Sequence, residues 1–347
     1  MVLAHRKLRD QMLRNTLMST SDAVLLFDVG AGQVAASLCP SLITAGLTRG
    51  KQAQGSRPSQ EDRYTIVLPE QFPAKTDDQI AFFAIYDGHG TGLVADHASR
   101  NLHHLLAKRP EFDRGDYAAA MQAAMADEDG VLLEYFKHES AEPAVSGSTV
   151  AVCLINLTKG ELVVSNLGDS HVILAERDPK TEFPYHIRRL TQTHKPEMRS
   201  EQARIKEAGG TVQMRGGIAR LGSLNMSRGL GDLQYKNPVN TVEDDSLTPQ
   251  TRRASSSSTP IRGDFLSNDP HTSRRTLQSD RRYLLVIVSD GVSDRTEDAD
   301  LIQHVMKLSM RGMRASDIAQ EVASTSASCS KSDNASCIVV MADGQHS

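Results

Sequence analysis

The chain contains no tryptophan, and only 8 phenylalanines and 7 tyrosines serve its 347 residues. Its core must therefore be assembled from Leu, Val, Ile, Ala and Met. Stacking platforms of the kind that hold single-stranded nucleic acid are not expected from so few rings. An excess of one charge is missing too: 43 acidic against 39 basic side chains leave a formal net charge of -4. That balance argues against a dedicated nucleic-acid binder, which carries a clear basic excess, and no nucleic-acid partner is expected. No apolar run approaches the ~20 residues that cross a bilayer. The longest, Ile80–Tyr86 and Tyr283–Val288, have the length of strands. Cys39, Cys153, Cys329 and Cys337 form no CxxC pair, so zinc is not suggested. Cys153 and Cys337 sit inside apolar runs and read as small core residues. No internal repeat and no apolar signal peptide are visible, and an intracellular setting is expected.

What is present reads as one large soluble domain with a short extension. Residues 1–20 carry Arg6, Lys7, Arg9 and Arg14 against the single acid Asp10, with Leu3, Leu8, Leu13 and Leu17 between them. A solvated helix is the plainer account; a mitochondrial presequence has the same basic, acid-poor look. The location is accordingly left as cytoplasmic or mitochondrial. Residues 1–42 are read as an N-terminal extension, 43–342 as the domain and 343–347 as a tail. Leu247–Arg282 stands apart, with seven Arg, seven Ser, five Thr and few apolar residues. Its composition predicts a mobile insertion that buries little.

Short apolar runs rich in β-branched and aromatic residues predict strands at Ile80–Tyr86, Ser148–Ile155, Glu161–Asn166, His171–Glu176, Tyr283–Ser289 and Ser336–Ala342. The second, third and fourth are joined by short loops holding Gly160 and Gly168, which predicts two successive antiparallel hairpins. Helices are predicted over Leu93–Leu106, Asp116–Phe136, Glu197–Ala208, Asp300–Met310 and Ser316–Ala327. Strands in runs and helices in pairs indicate an α+β fold with segregated layers.

The chemistry concentrates in acids at strand ends. Asp87 follows Ile80–Tyr86, Asp290 follows Tyr283–Ser289, Asp169 follows Glu161–Leu167, and Asp333 precedes Ser336–Ala342. A single Asp-Gly is ordinarily a turn. Four such carboxylates, with Glu61-Asp62 besides, describe an oxygen-rich site for a hard cation such as Mg²⁺ or Mn²⁺. Other motifs fail on spacing. In Gly88-His89-Gly90-Thr91-Gly92 the third glycine of a dinucleotide loop would fall at Leu93. Asp290–Arg295 has Arg where a calcium loop needs its glycine. Neither GxSxG nor HExxH occurs.

Taken in order, the motifs resemble the type 2C metal-dependent protein phosphatases. They are Gly55–Asp62, Tyr86–Gly90, Ser146–Thr149, Asn166–Ser170, Thr193–Pro196, Glu201 with Arg204-Ile205 and Ala208–Gly210, Ser227–Asp232, Ser289–Gly291 with Asp294, and Ser332–Asn334. The resemblance covers residues 43 to 342. It implies two packed antiparallel β-sheets flanked by helix pairs, an α-β-β-α sandwich. It implies a monomeric phosphatase acting on phosphoserine and phosphothreonine in proteins, with two Mg²⁺ or Mn²⁺ ions. Asp87 would bridge the ions; Gly88, through its carbonyl, and Glu61, through water, would serve one, and Asp290 and Asp333 the other. Asp169 and Asp294 match the positions of a weaker third ion, and Asp62 would orient ligands or water. Two ions ~3.5–4 Å apart share a water of lowered pKa that attacks phosphorus. Arg57 would grip the phosphate, and His89 would protonate the leaving oxygen. His97, His103 and His104 are read as solvated. The alternative function is a catalytically weak phosphatase-like binding module. The chain departs from the pattern at Thr193, usually Asp, at Ser293, often Trp, over Gly46–Gly55 and in the flap region Arg215–Leu224.

Overall fold

The computed structural model describes residues 25–32, 54–177, 185–240, 263–278, 281–328 and 330–344. The basic segment 1–20 and the serine run at 255–258 lie outside these residues. In chain order the strands are β1 (Leu25–Gly32), β2 (Arg63–Val67), β3 (Ile80–Tyr86), β4 (Gly88–His89), β5 (Gly147–Ser148), β6 (Val150–Asn156), β7 (Glu161–Leu167), β8 (His171–Arg177), β9 (His186–Arg189), β10 (Gln213–Arg215), β11 (Ile218–Arg220), β12 (Leu230–Gly231), β13 (His271–Thr276), β14 (Arg282–Val288) and β15 (Cys337–Gly344). The helices are α1 (Leu93–Ala107), α2 (Pro110–Asp113), α3 (Tyr117–His138), α4 (Arg199–Glu207), α5 (Asp290–Ser293), α6 (Asp298–Met310) and α7 (Ala315–Ala327).

Two five-stranded antiparallel sheets carry the architecture, in the orders β1-β15-β14-β8-β9 and β13-β7-β6-β3-β2. Their central strands, such as β3, β6 and β14, are almost wholly apolar because both faces are covered. On β3, Ile80, Phe82, Ala84 and Tyr86 pack under α1 and α3, while Ala81, Phe83 and Ile85 meet the other sheet. On β14, Tyr283, Leu285 and Ile287 face that same inter-sheet layer, and Leu284, Val286 and Val288 pack under α6 and α7. The two-residue period thus distributes each strand between two cores. The helices obey their own period: α1 buries Val94, Ala98, Leu102 and Leu106, and α6 buries Leu301, Ile302, Val305 and Leu308. The result is an α-β-β-α sandwich.

Four features differ from the sequence reading. β7 and β8 do not form a hairpin: β7 pairs with β6 and β13, and β8 with β14 and β9. Gly168, at φ 96°, turns the chain from one sheet into the other instead. The segment 247–282 is not a loop throughout. Its strand β13 pairs with β7, and Phe265, Leu266 and Leu277 are buried, so these few apolar side chains anchor it. β1 lies within the presumed extension yet adds an edge strand beside β15. Finally, His97 and His103 are not simply solvated. His97 Nδ1 lies 2.5 Å from the wholly buried Glu128, and His103 packs against Phe82, where burial pushes its pKa down to about 4.

A smaller apolar cluster lies beyond the sheets. Ile205 of α4, Leu221, Leu224, Met226, Tyr235, Phe265 and Leu266 form it. It supports the β10–β11 hairpin and the wall of the cleft described next.

Candidate metal centre

The strand registers bring the acids to one end of the sandwich. Arg63 of β2 pairs with Tyr86 of β3, so Asp62, just before one strand, meets Asp87, just after the other. Val288 of β14 pairs with Cys337 of β15, and Ser289 N–H continues the ladder to Ser336 O at 3.1 Å. Asp290 and Asp333 are thereby held beside the same edge. A cleft of about 450 Å³ opens there. Arg57, Glu61, Asp87, Gly88, His89, Asp290 and Asp333 all line it.

Asp62 sits behind the cleft, 1% exposed, and accepts hydrogen bonds from Ser336 Oγ at 2.7 Å and Ser289 Oγ at 3.0 Å. Burial pushes its carboxyl up to about 6 despite these donors. Burial raises Asp87 well above the carboxylate range, with the neighbouring Asp290 and Asp62 charges adding to it. Asp290 rises to about 8, first through burial and then through the Asp169 charge. Asp87 and Asp290 are close enough that each perturbs the other. Asp169, 3% exposed, is also raised by burial; neither of its oxygens accepts a hydrogen bond, and Lys195 Nζ lies 3.5 Å away. Asp294 follows directly on α5, is exposed, and does not line the cleft.

These donors fit a divalent cation in kind. They are all oxygens, they are crowded, and their mutual repulsion is relieved by positive charge. Gly88 leaves room for close approach: a Cβ there would stand 2.5 Å from Glu61 O. Among the described residues, no three His, Cys, Asp or Glu side chains already surround one point as a finished cage. Mg²⁺ needs none, since it keeps several waters and takes one or two carboxylates.

Arg57 is paired more tightly than a free phosphate arm would be. Its Nη2 donates to Asp333 Oδ2 at 2.5 Å, at the exposed mouth of the cleft. Asn334 staples this corner: its Oδ1 accepts from Glu61 N at 2.8 Å, and its Nδ2 donates to Gln54 O and Ser59 O. Sequence reasoning assigned Asn334 no role, although it lies inside a quoted motif. It also missed Asp232, whose Oδ2 accepts from His89 Nε2 at 2.6 Å. Burial works against a charged His89 ring, but the Asp232 hydrogen bond and charge outweigh it and hold the pKa above the usual value.

Fold and cleft together define an α-β-β-α sandwich with an acidic, oxygen-only centre suited to hard divalent cations. The chain belongs to the protein phosphatase 2C family, whose model, described as Protein phosphatase 2C, matches residues 47–335. That family is metal-dependent. Among curated relatives, a protein phosphatase 2C homolog 2 of Hypocrea jecorina is 36% identical over 259 residues, covering 73% of this chain and 51% of that protein. One of Aspergillus fumigatus is 30% identical over 263 residues, covering 73% and 53%. The chain thus spans about half the length of these relatives. Among solved structures, a serine-threonine phosphatase 2C from Toxoplasma gondii superposes with a TM-score of 0.67 at 20% identity, covering 94% of this chain and 96% of that one. A sex-determining protein of Caenorhabditis elegans gives 0.65 at 22%, covering 96% and 69%. Likeness at these identities shows the fold. Among the described residues no helix is long and apolar enough to cross a membrane.

Proposed function

We propose that the chain is a Mg²⁺- or Mn²⁺-dependent protein phosphatase acting on phosphoserine and phosphothreonine. The observation that carries this reading is the crowding of Asp87, Asp290, Glu61 and Asp333 around one cleft, in a member of this family. Asp87, Asp290, Asp333, Glu61 and the Gly88 carbonyl would hold two ions, and Asp169 with Asp294 a weaker third. Such ions supply a water of lowered pKa and charge neutralisation at the phosphate.

The protein's own residues do the rest. Asp62, fixed by Ser289 and Ser336, orients what the neighbouring ligands hold. Arg57 stands at the mouth, and its guanidinium fork suits two phosphate oxygens. In the reaction, water oxygen bonds to phosphorus and the bond from phosphorus to the serine oxygen breaks. The bonding pair leaves with the serine oxygen, which takes a proton from His89; the proton released by the attacking water restores the ring. Purified protein with Mn²⁺ should release phosphate from a phosphoserine peptide, and excess EDTA should stop it. Arg57→Ala should raise KM for the peptide by about tenfold, the loss of one charged hydrogen-bonding group. An inert but folded wild type with ample metal would overturn the reading.

A further inference from the structure

Asp232 is 1% exposed, yet it belongs to no metal ligand set. Its backbone is left-handed, with φ 47° and ψ 44°, an uncommon conformation for a residue other than glycine. Several contacts hold it there. Asp232 N–H donates to Ser146 O at 2.7 Å. The preceding Gly231 N–H donates to Asp129 Oδ1 of α3 at 2.8 Å. Lys236 Nζ donates to Asp129 Oδ2 at 2.5 Å and to Gly229 O at 2.7 Å, all in a buried setting. Gly147 provides the remaining space, since a Cβ there would collide with the Asp232 carboxylate and stand 2.8 Å from His89 Cε1. So much fixed structure delivers one carboxylate to one ring nitrogen.

That delivery commits one nitrogen of the ring. His89 Nε2 is committed to Asp232 at 2.6 Å, whereas Nδ1 is buried without a hydrogen-bond partner. We propose that Asp232 is a positioning residue for His89: its hydrogen bond to Nε2 fixes the ring's orientation for its part in the departure of the serine or threonine oxygen. The carboxylate acts as an acceptor with nothing to donate, so Nε2 is the donor in this bond. This inference rests on the phosphatase reading above.

The test uses leaving groups. A serine alkoxide needs a proton as it departs; a nitrophenolate hardly does. In the full-length protein with saturating Mn²⁺, Asp232→Asn should lower kcat on a phosphoserine peptide at least about tenfold while changing kcat on nitrophenyl phosphate less than about threefold, in keeping with the size of general-acid effects. KM for the peptide should hold. Asp232→Gly, which also accepts a left-handed backbone, should behave the same way if the Asn variant fails to fold. Nitrogen NMR of the metal-free wild type should show His89 protonated on Nε2, and in Asp232→Asn that preference should be lost. His89→Ala separates the two ideas. If it is leaving-group selective and the Asp232 variants are not, the positioning role is wrong while His89 remains the acid. If neither is selective, both fall. Equal loss on both substrates, or an Nε2 without its proton in the wild type, also overturns the proposal.

Discussion

Asp290 shows what one side chain costs and contributes. It is buried among Asp87, Asp169, Asp294 and Asp333, and like charges in such a place oppose folding. Asp290→Asn should therefore abolish activity yet raise the melting temperature of the metal-free protein by a few degrees, about 1 kcal/mol of relief. Calorimetry in EDTA checks this; a lower melting temperature would mean the carboxylate is stabilising by itself. Asp87, Asp169, Asp290 and Asp333 were legible as strand-end acids, because each stands next to a readable strand; the metal roles of Glu61 and Asp294 came only from the resemblance. Asp232 was not legible as a partner for His89. The two are 143 positions apart, and only packing around Gly147 joins them.

At the scale of elements, local pattern specified the strands and helices well and their pairing less well. A three-residue connection such as Gly168-Asp169-Ser170 looks the same whether it closes a hairpin or passes between sheets. Only the completed sandwich distinguishes the two outcomes. β13 was unreadable for another reason: it is an edge strand with no fully buried residue, so its sequence His-Thr-Ser-Arg-Arg-Thr carries no apolar alternation. Central strands are different. Phe82 of β3 is wholly buried under α1 and α3, and Phe82→Ala should cost about 3–5 kcal/mol in urea denaturation. The α4 region adds a pH signature. Burial alone would raise the Glu201 carboxyl, but Arg228, Ser227 and Arg204 outweigh it and hold the pKa at about 2, below the ordinary 4.5. A carboxylate depressed on folding stabilises above its unfolded pKa and loses that contribution as acid approaches the folded value. Urea midpoints should therefore fall between pH 4.5 and about 2. In Glu201→Gln the protein should be less stable at pH 7, and that part of the acid loss should be gone.

For the whole molecule, the near balance of 43 acids and 39 bases conceals a concentrated negative site at one end of a sandwich. Exposed local ion pairs such as Arg100–Asp96, Lys137–Glu134 and Arg314–Asp317 contribute little. A cation that enters the cleft should stabilise the entire fold, because it binds the native state alone. Adding Mn²⁺ to metal-free protein should raise its melting temperature, and Asp87→Asn should blunt the rise. The whole account turns on those strand-end carboxylates serving phosphate ester hydrolysis. The most direct measurement is phosphate release from a phosphoserine peptide, followed across a Mn²⁺ titration for wild type and Asp87→Asn side by side. The account predicts saturable, EDTA-reversible release by the wild type and a loss of about a thousandfold or more in the variant, as expected when electrostatic stabilisation of the transition state is removed. Equal rates in the two proteins, or release by the wild type that ignores both Mn²⁺ and EDTA, would contradict it.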